Sequence, residues 1–292
     1  MPDPYAPVGG QAVIEGVMMR SPKRVATAVR RPDGTIQVKS QEYHPLARRF
    51  PVLGLPIVRG AVVLVESLRI GVDALAFSAE TAVESEKDAP KEKKRYGSLG
   101  LGMGFTLLIS FLVAFGVFFY LPLKLAELTG VKGSLAFNLI DGGIRLAFFL
   151  VYILAIGFWG EMARVFQYHG AEHKTIHNLE SGQELTPEAA STMSRFHPRC
   201  GTSFLFLVVI VSFIVFAFLG RPTSIGARLL RFALIPVIAG ISFEIIRFAG
   251  LHYDRPWVRW ISEPGLQLQR LTTREPSRDM LEVAIAALRA VL

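Results

Sequence analysis

Apolar residues gather in long runs through the middle of the chain and in short runs near its start. The long runs cover roughly residues 99 to 121, 140 to 160, 203 to 220 and 228 to 248. Each approaches the ~20 residues a helix needs to cross a bilayer, so four transmembrane helices are predicted. Pro122 is expected to end the first span, and Pro236 to kink the fourth. Gly100 and Gly104 form a small-xxx-small pair suited to close helix packing.

The first fifty residues follow another rhythm. Gln11 to Met19 is apolar with Glu15-Gly16 inside it. Val25 to Val29 and Ile36 to Val38 flank Arg30-Arg31-Pro32-Asp33-Gly34, a hairpin turn signal. About three strands are predicted, with a bulge at Gly16 and a turn at Gly9-Gly10. Next, residues 57 to 79 carry Arg59, Glu66 and Asp73 at steps of seven, with Arg69 three after Glu66. On a helix these make one polar stripe. Such a helix can lie on the membrane, cover the sheet, or dock among the spans with its charges paired.

Between the second and third spans, the helix is expected to run on through Glu161 and Arg164 toward His177. Gly170 weakens it and permits a break. Glu180-Ser181-Gly182 ends it, and Thr186-Pro187 starts a short helix. After the fourth span, His252 to Trp260 has the aromatic and basic character of a membrane interface. Ser277 then caps an amphipathic helix over about 278 to 291. The organisation expected is a small β domain (1–50), an amphipathic interfacial helix (51–79), a charged linker (80–98), a four-helix membrane domain (99–248) whose loop 161–202 is the functional candidate, and a C-terminal segment (249–292). The linker, with Lys91-Glu92-Lys93-Lys94-Arg95, has too little apolar surface to fold alone.

Composition agrees and charge adds direction. The chain is 51% hydrophobic, with mean hydropathy +0.39, which sets it apart from ordinary soluble enzymes. Of 32 Lys and Arg, 26 fall in residues 1–98, 161–202 and 247–292, and 6 fall in 121–145 and 220–231. By the positive-inside rule both termini and the 161–202 loop are cytoplasmic. The start, Met1-Pro2-Asp3-Pro4, lacks a signal-peptide pattern. The formal charge of +8 suits anionic lipid. RNA would require a basic stripe interleaved with aromatics, approached only at His252 to Trp260, so no specific nucleic-acid binding is predicted. Cys200 is the one cysteine, which excludes an intrachain disulfide.

The chemistry concentrates in Tyr168-His169-Gly170-Ala171-Glu172-His173-Lys174-Thr175-Ile176-His177, which holds three of the six histidines. At 3.6 residues per turn, steps of four keep the three rings within about 80° of one another. Glu172 shares their side. His169-x-x-Glu172-His173 is the inverted zinc-protease pattern, in which two His hold Zn²⁺ and the Glu serves as base. A third ligand is needed, and His177, His197, Cys200 and Glu244 are candidates. His197 and Cys200 lie in His197-Pro198-Arg199-Cys200-Gly201-Thr202 at the mouth of the third span. They can ligate a metal, Cys200 can be a nucleophile at a helix N-terminus, or the turn can be packing alone. Glu244 and Arg247 form an i,i+3 pair that eases burial of both.

Four runs, Gly9-Gly10-Gln11-Ala12-Val13-Ile14-Glu15-Gly16-Val17-Met18-Met19-Arg20, Tyr168 to Ile176, His197 to Phe204, and Leu271-Thr272-Thr273-Arg274-Glu275-Pro276, resemble the YqhQ family. The resemblance covers nearly the whole chain. That bacterial family is labelled as predicted metal-dependent enzymes. The resemblance implies a multi-pass protein of the bacterial cell (inner) membrane. By position it implies a site drawn from Glu15 and Arg20, from His169, Glu172, His173 and Lys174, and from His197, Arg199 and Cys200.

The reading is therefore a mainly α, polytopic membrane protein with four transmembrane helices and a small N-terminal β domain. A cytoplasm-facing site holds a divalent metal, such as Zn²⁺, and Glu172 polarises water for hydrolysis at the inner leaflet. The alternative is a non-catalytic membrane scaffold that binds a cytoplasmic protein or ribosome partner in membrane-protein biogenesis or translation.

Overall fold

The computed structural model describes residues 8–82 and 101–292, the side chains of 101–104 and 107 excepted. The linker expected over 80–98 lies outside the described residues from residue 83 onward, as do residues 1–7 and Gly100.

Four strands, β1 (Gly9–Val13), β2 (Gly16–Arg20), β3 (Arg24–Arg30) and β4 (Ile36–Glu42), form an antiparallel meander in the order β1-β2-β3-β4. The run expected as one strand splits in two because Ile14-Glu15 makes a tight turn, with Val13 opposite Gly16 and Glu15 at φ 50°. No bulge sits at Gly16, which pairs in register with Val29. Its glycine is required by close approach: a Cβ there would stand 2.2 Å from the Ala28 carbonyl oxygen. Gly9 and Gly10 are strand residues, not a turn.

The helices are α1 (Leu46–Arg49), α2 (Val58–Thr81), α3 (Leu101–Phe115), α4 (Leu121–Leu128), α5 (Ser134–Gly157), α6 (Gly160–Glu180), α7 (Pro187–Ser191), α8 (Gly201–Leu219), α9 (Ile225–Ala233), α10 (Ile235–Leu251), α11 (Pro256–Thr272) and α12 (Arg278–Arg289). Among the described residues, four stretches are long and apolar enough to cross a membrane: Leu108–Leu128, Ser134–Gly157, Gly201–Leu219 and Ile225–Leu251. Pro122 does not end the first. A π turn at Gly116–Tyr120 precedes it and Pro122 enters α4 in its first turn, where its missing N–H costs nothing. The fourth stretch does break, at Leu234, one residue before α10 begins with Pro236 near its start.

Sheet periodicity explains why β2 and β3 are buried on both faces. Val17 and Met19 of β2 point with Ala26 and Ala28 of β3 into a core shared with Tyr168, Ala171, Ile176 and Leu179 of α6 and with α12. Met18 and Val25, with Val13, point the other way, onto Ile70 and Ala74 of α2. The C-terminal helix, expected as amphipathic, is a core element. Met280, Leu281, Ala284 and Leu288 are all buried against the sheet and α6.

Helix α2 packs on two partners. Its second half covers the sheet, and its first half docks on α10. Gly60 and Gly240 meet there, and a Cβ on Gly240 would stand 2.3 Å from the Ile57 carbonyl oxygen. Two residues of the polar stripe pair: Arg59 forks onto Glu244, and Glu66 accepts from Tyr43 Oη at 2.8 Å and from the Leu46 amide at 2.7 Å.

Helix α6 begins anew after Phe158-Trp159 and runs unbroken through Gly170. The glycine answers a chain crossing. A Cβ at position 170 would stand 2.1 Å from the Arg274 carbonyl oxygen, and the Arg274 amide donates to Phe166 at 2.9 Å. Gly170→Ala should therefore destabilise by about 1–3 kcal/mol through overpacking, against the ~1 kcal/mol that helix propensity favours. Gly160→Ala, with open space around it, should be neutral or stabilising. Thermal unfolding of the two variants in detergent compares them; equal melting temperatures would contradict the crossing argument.

Candidate metal centre

Helix α6 presents its histidines on one face, as the spacing predicts. Two other segments meet that face: the turn entering α8, and the stretch from Gln269 to Pro276 that leaves α11. Each of the two supplies one contact that orients a ring, Arg195 from the chain leading into the first and Thr272 from the second. His169 Nδ1 donates to the Thr272 carbonyl at 2.8 Å, and His173 Nδ1 donates to the Arg195 carbonyl at 2.6 Å. A backbone carbonyl only accepts, so both Nδ1 atoms carry a proton, and in each neutral ring Nε2 is the nitrogen left with a lone pair.

Those lone pairs share one space with Cys200. His169 Nε2 lies 3.2 Å from Cys200 Sγ. The ligand atoms of His169, His173 and Cys200 all lie within 4.8 Å of one another. Glu172 Oε2 is 3.9 Å from His169 Nε2 and 4.0 Å from His173 Nε2. Cys200 is the N-cap of α8, and its sulfur accepts from the Thr202 amide at 3.4 Å. Glu172, His173 and Cys200 are buried.

Electrostatics favour the Cys200 thiolate and pair it with a protonated His169, whose Nε2 proton a metal ion would displace. Burial alone would raise the Cys200 thiol, but the His169 and His173 rings hold it well below the usual thiol range. Burial opposes protonation of His169 too, yet the Cys200 thiolate draws it up to about 9. Burial pushes the Glu172 carboxyl up, against the two imidazoles. Gly10 allows that burial: a Cβ there would stand 2.9 Å from Glu172 Oε1.

A second group, His177, Glu180 and His197, lies beside the first, with the His173 and His197 rings 5.7 Å apart. Its hydrogen bonds fit a metal less well. The Arg199 amide donates to His197 Nδ1 at 3.2 Å, so the proton sits on Nε2, which faces Glu180 Oε2 at 3.4 Å. That nitrogen has no lone pair to offer. Burial pushes His197 down to about 4, and lowers His177. Glu180 also binds Arg199; despite burial, the His197 hydrogen bond and then the Arg199 charge hold its carboxyl below the usual range.

Other expected site residues stand elsewhere. Glu244 bonds Arg59, and Arg247 is 4.0 Å from Glu244; both are away from the histidines, because α10 turns that face to α2. Glu15 pairs with Arg164 at 2.6 Å and accepts from Tyr168 Oη at 3.3 Å, the residue before His169. Arg20 donates to Ser67 and lies over the Tyr43 ring. Lys174 is buried and donates to the Ser191 carbonyl at 2.9 Å, with Glu275 3.0 Å away. Sequence reasoning passed over Thr272, Arg195, Gln269 and Glu180. Thr272 and Arg195 act through their carbonyls, which no side-chain pattern reveals. Gln269 is fully buried, accepts from the His197 amide at 2.8 Å and donates to the His197 carbonyl at 2.8 Å.

Two outcomes follow. Gln269→Leu leaves the His197 amide unpaired in the interior, its carbonyl keeping only the Cys200 amide at 3.3 Å, and should cost roughly 1–3 kcal/mol, read as a lower melting temperature. The Arg164 hydrogen bond, opposed by burial, holds the Glu15 carboxyl below its ordinary 4.5. A depressed carboxylate contributes stability above its unfolded value and loses it as pH falls through the folded one. Glu15→Gln should therefore flatten the acid limb of a melting-temperature profile below about pH 4.5; an unchanged limb would assign acid sensitivity elsewhere.

Comparison with known proteins gives one assignment. Residues 55–292 match the family model described as Protein of unknown function (DUF1385). The chain is 38% identical over 298 residues to the Bacillus subtilis (strain 168) protein described as Uncharacterized protein YqhQ, covering 97% of this chain and 92% of that one. No solved structure matches the chain significantly. Together with the four apolar helices and the antiparallel sheet, these matches show that the chain belongs to the YqhQ (DUF1385) family.

Proposed function

We propose that this is an integral membrane protein whose His169, His173 and Cys200 hold a divalent metal, with Zn²⁺ the best fit, and that Glu172 serves hydrolysis there. The observation that carries the reading is the pair of Nδ1–H groups anchored on the Thr272 and Arg195 carbonyls. Metal-bound histidines almost always fix their second nitrogen in this way. Two imidazoles and a thiolate are zinc donors, and three protein ligands leave a position open. When bound, such an ion supplies Lewis acidity toward a substrate oxygen.

The chain's own residues do the rest. The anchored rings keep their orientation without rearrangement. The Thr202 amide, in the first turn of α8, steadies the Cys200 thiolate. Glu172, buried and raised, is poised to take a proton at Oε2 and return it to a leaving group. The positive-inside count supports a cytoplasmic position for this end of the bundle. A peptide, lipid or phosphoester bond at the inner leaflet would then be the substrate.

Near-complete burial of Glu172, His173 and Cys200 favours a second reading: a closed structural ion that ties α6 to the turn entering α8, in a non-catalytic scaffold.

Metal content of the purified protein tests both. About one ion per chain is expected, with binding at least ~100-fold weaker in His173→Ala and Cys200→Ser and little changed in Glu172→Gln. Cobalt substitution should give a thiolate charge-transfer band that Cys200→Ser abolishes. Adding acetohydroxamate should perturb the cobalt spectrum if a position is open and leave it unchanged if the ion is structural. A metal-free protein that gains no cobalt band would sink both readings.

A further inference from the structure

The end of the bundle opposite the histidines carries a second concentration of charge. There Lys124, Arg145, Arg221, Arg228 and Arg231 surround two carboxylates, Glu127 and Asp141, a surplus of three positive charges. The interior part is satisfied. Arg231 donates to Asn138 Oδ1 and to the Gly220 carbonyl, each at 2.7 Å, and to Asp141 Oδ2 at 3.5 Å. Arg145 forks onto Asp141 at 3.1 Å and reaches the Phe119 carbonyl of the π turn at 3.4 Å. The rim is more open: the side chains of Lys124 and Arg228 are 40% and 31% exposed.

Between rim and interior, Arg145, Arg228 and Arg231 line a cavity of about 10 Å³ with the rings of Phe119, Phe216 and Phe232. That is room for about one water, or one oxygen of an entering anion. At ~1.5 Å per residue, Glu127 lies ~2 Å, Asn138 ~6 Å and Asp141 ~10 Å from the ends of their helices. This is the depth of the headgroup boundary, where long cationic side chains reach toward phosphate. An excess of cations with low-dielectric walls calls for a counter-ion, and guanidinium groups match phosphate oxygens in pairs.

We propose that this cluster is a binding site for the phosphate of an anionic lipid headgroup, in the leaflet opposite the histidine centre. The carboxylates hold the guanidiniums in place, the surplus charge receives the phosphate, and Phe232 and Phe119 flank its entry beside the acyl chains. The site is independent of any ion at the histidines.

Native mass spectrometry of the full chain in detergent, titrated with phosphatidylglycerol or phosphatidylcholine, tests it. Retention of the anionic lipid should exceed that of the zwitterionic one at least about tenfold, at roughly fivefold per cation. Arg228→Gln should cut anionic retention about fivefold at unchanged melting temperature, because Glu127 keeps Lys124 at 2.9 Å. If that variant unfolds, Arg221→Gln, whose guanidinium bonds the Val131 carbonyl, carries the same expectation. Equal retention of the two lipids would overturn the proposal, as would full retention in the variants. Thermal stabilisation by inorganic phosphate without lipid preference would assign a soluble anion and overturn it equally.

Discussion

Two imidazole N–H groups held on backbone carbonyls are the constraint from which the centre follows. Each carbonyl takes the proton of one Nδ1 and so turns Nε2 inward, where that of His169 meets the Cys200 sulfur at 3.2 Å and that of His173 faces Glu172. Neither carbonyl belongs to α6. Thr272 ends α11, and Arg195 precedes the turn into α8, so the helices must already be docked for the rings to be set. Ring orientation is in this sense a readout of tertiary assembly.

Close backbone approach makes that docking possible. Gly170 lets the 273–276 segment cross α6, Gly10 lets β1 sit against Glu172, and Gly60 with Gly240 lets α2 reach α10. Each contact would be blocked by a single methyl group. The sheet contributes by being apolar on both faces: α2 occupies one side, and α6 with α12 the other. Histidine helix, C-terminal helix and N-terminal strands thus share one core, although they lie at distant points of the sequence.

Among the described residues, charge within and beside the apolar helices is paired, both where it is half-buried and where it is buried. Arg59 meets Glu244 where α2 docks on α10, and Asp141 meets Arg145 and Arg231 at the other end of the bundle. Isolated charges at such places would be costly, and pairing with neutral acceptors such as Asn138 and Gly220 completes the satisfaction of Arg231. The two ends differ in kind: one is rich in imidazole and sulfur, the other in guanidinium.

The sequence by itself determined what depends on local periodicity. The apolar runs predict four spans, the Pro-Asp-Gly turn predicts the β3–β4 hairpin, Thr186-Pro187 starts α7, and steps of four put the histidines on one helical face. It also displayed His-x-x-Glu-His as candidate chemistry. It misplaced features that depend on neighbours. Gly170 reads as a weak point and is a crossing; Pro122 reads as a stop and is accommodated by a π turn; Gly16 reads as a bulge and is a close contact. Only the tertiary structure chose Cys200 over Glu244, His177 and His197 as the neighbour of His169 and His173. The reason is physical: a ligand set is a matter of distance and of which nitrogen bears the proton, and both are decided by backbone carbonyls that carry no side-chain signature.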